Sequence, residues 1–102
     1  MKHRFSSAAE AEFLDIIAYY EARVRGLGAE FRVETMRYIS IIEANPQGFS
    51  LAARCPRGRE IRVVKLGRFD YLLYHEVLPT EVVTIAIQHA RRKSSAWRKR
   101  TP

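Results

Sequence analysis

The sequence predicts an α+β domain in the order β-α-α-β-β-β, a helical hairpin packed on an antiparallel sheet, followed by a basic C-terminal extension. Three observations carry that prediction. Two stretches before Pro46 repeat apolar residues at helical spacing, and three β-rich stretches after Arg59 are separated by short turns. The segment 91–102 holds six Lys/Arg and no acid. At 102 residues, the chain has the length of one domain, 1–102, with residues 91–102 as its tail.

His3-Arg4-Phe5 is a short first strand. Ser7-Ala-Ala-Glu10 has the spacing of a capping box, in which hydroxyl and carboxylate satisfy free N–H groups at a helix start. Phe13, Ile16, Ile17, Tyr20 and Val24 then recur on one face, with Glu10, Glu12 and Glu21 largely off it. Gly26 and Gly28 end this helix. A second helix is expected from Ala29 to Ala44 with Phe31, Thr35, Tyr38, Ile39 and Ile42 inward. Pro46 stops it by disfavouring helical geometry at Asn45. Residues 47–58 have turn composition and no sustained period, and are read as a loop or short irregular helix. The three strands run over residues 60–66, 69–77 and 82–87, with turns at Gly67-Arg68 and Leu78-Pro-Thr-Glu81. Their apolar face needs a cover, and the hairpin is the cover expected.

The composition excludes several classes. At 47% hydrophobic residues the chain has enough apolar surface to fold. No apolar run approaches the ~20 residues of a membrane span, and the opening MKHRFSSAAEAEF lacks a signal-peptide core. A single cysteine, Cys55, supports neither a disulfide framework nor a thiolate metal site. The expectation is a soluble, cytoplasmic protein with no cofactor.

The net charge of +7 is unevenly placed: residues 1–53 sum to −1, 54–68 to +5, 69–90 to −3 and 91–102 to +6. Two such blocks favour a polyanionic partner, either nucleic acid or an acidic protein segment. The alternative is a solvated basic face and tail. His3, His75 and His89 lack metal-ligand spacing, so no metal is expected. No phosphate-binding glycine loop is present. The stretch His89-Ala-Arg91-Arg92-Lys93 to Trp97-Arg98-Lys-Arg100 is the most informative. Cutting RNA without a metal needs a base, an acid, and cations for the charge on phosphorus. His89, Arg91 and Arg92, facing Arg62 and Lys65 from a neighbouring strand, supply parts of that set. Trp97 either stacks on a base or folds back onto the sheet as a hydrophobic anchor.

The order and spacing of several segments resemble the RelE/ParE superfamily of toxins from bacterial toxin–antitoxin pairs, most closely its ParE-like branch. They are Ala11-Glu12-Phe13, Tyr19-Tyr20-Glu21, Gly26-Leu-Gly28 before Phe31, Ile42 to Pro46, Arg59-Glu-Ile-Arg62-Val, Phe69-Asp-Tyr71-Leu-Leu-Tyr74, Ile85 to Arg92 and Trp97-Arg-Lys-Arg100. The resemblance covers nearly the whole chain and implies the same hairpin-on-sheet fold.

For function the resemblance implies two branches. RelE-like members cleave mRNA on the ribosome with basic residues on central strands, an arginine after the last strand and a C-terminal tyrosine. Here Arg62 fits one basic position and Val64 takes the other; Tyr71 falls where an arginine is wanted, Arg91 fits the last-strand arginine, and Trp97 replaces the tyrosine. An indole has no ionisable hydroxyl. That reading would use Arg62, Lys65, His89 and Arg91. ParE-like members instead poison DNA gyrase, and the tryptophan-containing basic ending is similar to theirs. The expectation is therefore the toxin of a type II, plasmid-stabilising pair that arrests growth by inhibiting gyrase. Arg91, Arg92, Trp97, Arg98 and Arg100 would bind the target, and the tail would be dispensable for folding. A cognate antitoxin would meet the basic blocks with acidic residues, at Arg59, Arg62 and Arg68 in the first. The alternatives are the ribosome-dependent mRNA endonuclease and a non-toxic basic nucleic-acid-binding module. Asp70 is read as lying within a strand, where the ParE-like branch often has proline, with little functional consequence.

Overall fold

The computed structural model describes residues 1–92 and 95–102; Lys93 and Ser94, part of the expected basic tail, lie outside the described residues. The elements are β1 (Lys2–Phe5), α1 (Ser7–Arg23), α2 (Leu27–Ala44), β2 (Ser50–Leu51), β3 (Ile61–Lys65), β4 (Tyr71–Val77), β5 (Glu81–His89) and a 3-10 turn (Ala96–Lys99). The sheet order is β1-β5-β4-β3-β2. The meander β3-β4-β5 is antiparallel as expected. The sheet as a whole is mixed, because β1 runs parallel to β5, with Lys2 opposite Glu81 and Phe5 opposite Thr84. Parallel neighbours need a long connection, and everything between β1 and β5 supplies it. The loop expected after Pro46 contains the two-residue edge strand β2, too short to carry a period, paired to β3 at Leu51–Arg62.

The first helix is capped one residue earlier than its sequence signature. Ser6 is held in extended geometry and donates its N–H to the Thr84 carbonyl at 2.9 Å, so it closes β1. Its hydroxyl then accepts from the Ala9 N–H at 3.2 Å. At the hairpin, Gly26 has φ of 86°, a conformation open to glycine at little cost. A Cβ on Gly28 would stand 2.5 Å from the Ile17 carbonyl, so glycine lets the helices approach there. The Glu21 carboxylate accepts from the Gly26 and Gly28 N–H groups at 2.8 and 3.0 Å and caps the start of α2. This explains why an acid off the apolar stripe stands there.

Both faces of the sheet are covered. Phe13, Ile16 and Phe31 of the hairpin pack on Leu66, Phe69, Leu73 and Ile87, while Val24 is exposed. The opposite face buries Ala52, Ile61, Val83, Ile85 and Ala86 under Trp97 of the tail. The hairpin is thus not the only cover, and the tail is part of the core. The register of β4 against β5 skips Ile85, since Tyr74 faces Ala86 and His75 faces Thr84. This bulge leaves the Ile85 carbonyl off the ladder, where Arg100 of the tail donates to it at 3.1 Å.

Phe69 and Asp70 precede β4 rather than belonging to it. Phe69 turns into the core, and Asp70 sits in the bend. Glu34 of α2 anchors this bend by accepting from the Arg68 N–H at 2.9 Å. Hydrogen bonds from Arg37 and from the Arg68 backbone hold its carboxyl below the ordinary carboxylate pKa.

Candidate functional site

Two groups of expected site residues separate in space. Trp97, Arg98 and Arg100 of the tail pack under the sheet, whereas part of the expected nuclease set, Arg91 among it, gathers where β3, β4 and β5 meet the bend at Asp70.

Arg59 and Arg100 tie the tail down. Arg59 forms a double hydrogen-bonded ion pair with Glu76, whose side chain is almost fully buried, with Nε to Oε2 at 2.9 Å and Nη2 to Oε1. Its remaining N–H groups donate to the carbonyls of Arg98 at 3.0 Å and Arg100 at 2.6 Å. The Glu76 bond keeps the Arg59 pKa above its ordinary value. Arg100 forms a two-pronged pair with Glu12 at 2.7 and 3.0 Å, and Glu12 also accepts from the Ile87 N–H at 2.9 Å. Helix α1, strand β5 and the tail are therefore joined through one carboxylate. Trp97, 4% exposed, stacks on Tyr74 with centroids 4.8 Å apart and planes 10° from parallel. The indole thus takes the anchoring position rather than offering its face to a base. The Arg98 guanidinium lies over the indole, 5.4 Å from the ring centroid. Arg91 and Arg92 remain at the surface, the Arg91 side chain 86% exposed.

The residues expected to meet an antitoxin differ in availability. Arg62 pairs with Glu60 at 2.9 Å and donates to the Phe49 carbonyl at 2.7 Å. Arg68 is exposed, paired with Glu30 at 2.6 Å and placed over the Phe69 ring at 5.4 Å. Arg59 and Arg62 are both largely enclosed, but only Arg59 is paired to a buried carboxylate.

At the other end of the sheet, Lys65, His89 and Arg91 converge on Asp70. The approaches are Lys65 Nζ to Oδ1 at 3.6 Å, His89 Nε2 to Oδ2 at 3.9 Å and Arg91 Nε to Oδ2 at 3.1 Å. The ladder sets this convergence, since Tyr71 lies opposite His89 and Leu72 opposite Lys65. Arg62 is absent from it. Three positions back along β3, it lies about 10 Å away and on the other side of the pleat, opposite His75. His89 Nδ1 accepts the Arg91 N–H at 3.1 Å, so a neutral ring carries its proton on Nε2. A groove of about 550 Å³ opens beside the cluster, lined by Tyr71, His89, Arg91, Arg92, Glu12 and Asp15.

His75 was a candidate only as one of the imidazoles. It is fully buried, both ring nitrogens lack hydrogen-bond partners among the described residues, and Phe49 meets it edge-on at 6.3 Å. Burial, then the charges of His3 and Arg62, lower its pKa to about 4. It is neutral at physiological pH and reads as a core residue. Cys55 is half-buried, its thiol donating to the Arg59 carbonyl at 3.2 Å. No group of three or more His, Cys, Asp or Glu gathers as a metal site among the described residues. No helix among them is long and apolar enough to cross a membrane.

No family model and no curated protein matches the sequence. The structure is similar, with a TM-score of 0.74, to a chain of the solved structure "Chromosomal ParDE TA system from P. aeruginosa". The likeness covers 89% of this chain and 97% of that one at 16% sequence identity. At that identity the likeness establishes the architecture: the RelE/ParE-like fold implied by the sequence resemblance is the fold of this chain.

Proposed function

We propose that this chain is the ParE-like toxin of a type II toxin–antitoxin pair, binding DNA gyrase in the cytoplasm and held in check by a cognate antitoxin. The observation that carries the reading is the fold shared over 97% of a chain from a ParDE system, joined to the whole-length sequence resemblance. Gyrase binding is favoured over RNA cleavage because the metal-independent nuclease set is incomplete. Val64 and Tyr71 stand where basic residues are wanted, Trp97 is an anchored indole, and Arg62 is turned to Glu60. Arg91, Arg92 and Arg98 are the residues proposed to touch the target. Trp97 and Arg100 act by holding the tail in place. An acidic antitoxin segment would exchange with the intramolecular partners of Arg68 and Arg62 more readily than with that of Arg59, whose carboxylate partner is buried.

The mRNA endonuclease reading keeps one observation in its favour, the gathering of Lys65, His89 and Arg91. Against it, the outward nitrogen of a neutral His89 is a donor, whereas attack by a 2′-hydroxyl needs an acceptor there. Inducible expression with mapping of RNA 5′ ends separates the possibilities. Growth arrest without cuts inside translated codons supports the proposal. Such cuts would replace it with the endonuclease. Normal growth, with strongly salt-dependent binding to any polyanion, would leave the basic module.

A further inference from the structure

The carboxylate of Asp70 stands where three cationic or proton-donating groups from two strand ends and a loop converge, yet it satisfies them poorly. Only Arg91, at 3.1 Å, is within hydrogen-bond distance; Lys65 at 3.6 Å and His89 at 3.9 Å are not. Lys65 Nζ donates instead to the Leu66 carbonyl at 3.2 Å. The framework around the carboxylate does not depend on it. The Asp70 carbonyl accepts from the Ala90 N–H at 2.8 Å, the Leu66 N–H reaches the Tyr71 carbonyl at 3.0 Å, and Glu34 holds the Arg68 N–H. The backbone that carries the three groups is therefore held whether or not Asp70 fills the point between them, while the Arg91 side chain, 86% exposed, is aimed there by Asp70. A tetrahedral oxyanion is wider than a carboxylate and presents more oxygens, so it spans the gaps that Asp70 leaves.

We infer that Lys65, His89 and Arg91 form an oxyanion site for a phosphate group, and that Asp70 closes it as an internal counter-anion. Ion pairs this exposed bind weakly, so the plug is displaceable. Arg92 and Tyr71 flank the groove beside it, and the Tyr71 ring meets His89 edge-on at 5.2 Å. A cationic groove with an aromatic wall suits single-stranded nucleic acid, whose phosphates are the macromolecular source of this chemistry. Glu12 lines the same groove with its charge taken by Arg100, and Asp15 lines it as well. The site does not depend on the gyrase reading, and either can fail alone.

The test is titration of the full chain with inorganic phosphate at constant low ionic strength, followed by amide chemical shifts, for wild type, Asp70→Asn and Asp70→Ser. Removing a unit charge 3–4 Å from a surface-bound anion is worth roughly ten-fold or more in affinity. Both variants should bind phosphate about ten-fold more tightly than wild type, with shifts centred on Lys65, His89 and Arg91. Arg91→Gln added to Asp70→Asn should erase the gain. Unchanged affinity in both variants, or a gain that survives Arg91→Gln, overturns the inference. A short oligouridylate distinguishes the source: a larger gain than for phosphate assigns a nucleic-acid chain, and an equal gain a free phosphate. Asparagine keeps the shape of Asp70 and the backbone bond to Ala90, and serine guards against a defect peculiar to asparagine.

Discussion

Replacing Trp97 by alanine removes the largest side chain covering the second face of the sheet. Burying a tryptophan withdraws roughly 150–250 Å² from water, about 4–6 kcal/mol at 25 cal/mol per Å². Truncations of this kind cost about 3–5 kcal/mol in measured proteins. The parallel stack on Tyr74, 4.8 Å between centroids, is a further ~0.5–1.5 kcal/mol within that total. The loss expected for Trp97→Ala is therefore about 4 kcal/mol, a large share of the ~5–15 kcal/mol that stabilises a domain. Urea unfolding followed by far-ultraviolet circular dichroism measures it, with a fall in melting temperature of roughly 15–30 °C alongside. Trp97 is the single tryptophan, so wild-type fluorescence reports directly on tail docking and should shift to the red in the same transition. A loss under about 1 kcal/mol with an unchanged denaturant slope would refute the packing argument. On the packing argument the tail expected to be dispensable for folding contributes to it, so loss of toxicity in a chain cut after Arg92 would not identify a target surface. Point changes at Arg91, Arg92 and Arg98 are the informative ones.

Three further outcomes are expected. Arg59→Ala strands the buried Glu76 carboxylate and frees the Arg98 and Arg100 carbonyls, so stability should fall by about 3–5 kcal/mol, with Trp97 emission reporting early release of the tail; thermal melts showing a change under 1 kcal/mol would count against the clamp. His75 has a folded pKa near 4, below its unfolded value, so its contribution is fully present above pH 6.5 and is lost as pH falls toward 4. Wild type should lose about 2–3 kcal/mol more than His75→Leu between pH 7 and pH 4.5, and parallel urea midpoints for the two proteins would contradict that. Arg91→Ala and Arg92→Ala should leave stability within about 0.5 kcal/mol of wild type, as exposed positions do, while weakening growth arrest; full toxicity in the double variant would remove them from the target surface.

The parts of the fold that were legible are those with a local period. The faces of both helices, with Phe13, Ile16, Phe31 and Ile39 inward, and the antiparallel meander follow from spacing and turn residues. The parts that were not legible depend on distant partners. Ser6 rather than Ser7 caps α1 because β5 holds it, and the four-residue β1 has no pattern that states its parallel pairing. Nothing local in Glu12 or Glu21 marks them as partners of Arg100 and of the α2 start. In the site, His89 and Arg91 at a strand end were readable, and Lys65 joins them because its own strand ends at the same edge. Arg62 does not join them, and Asp70 became the centre of the cluster once the bend displaced it from β4. Trp97 shows the limit most plainly: composition cannot say whether a lone indole in a basic tail faces out or in, and the Arg59 and Arg100 clamps that decide it reach across about 40 and 88 positions of the chain respectively.

The most direct test of the proposed function is a plasmid assay with purified gyrase, ATP and this protein, stopped with detergent and protease. The account predicts linear DNA that forms only when both proteins are present, and less of it with Arg91→Ala/Arg92→Ala. Unchanged supercoiling at a large molar excess of the folded protein would contradict it.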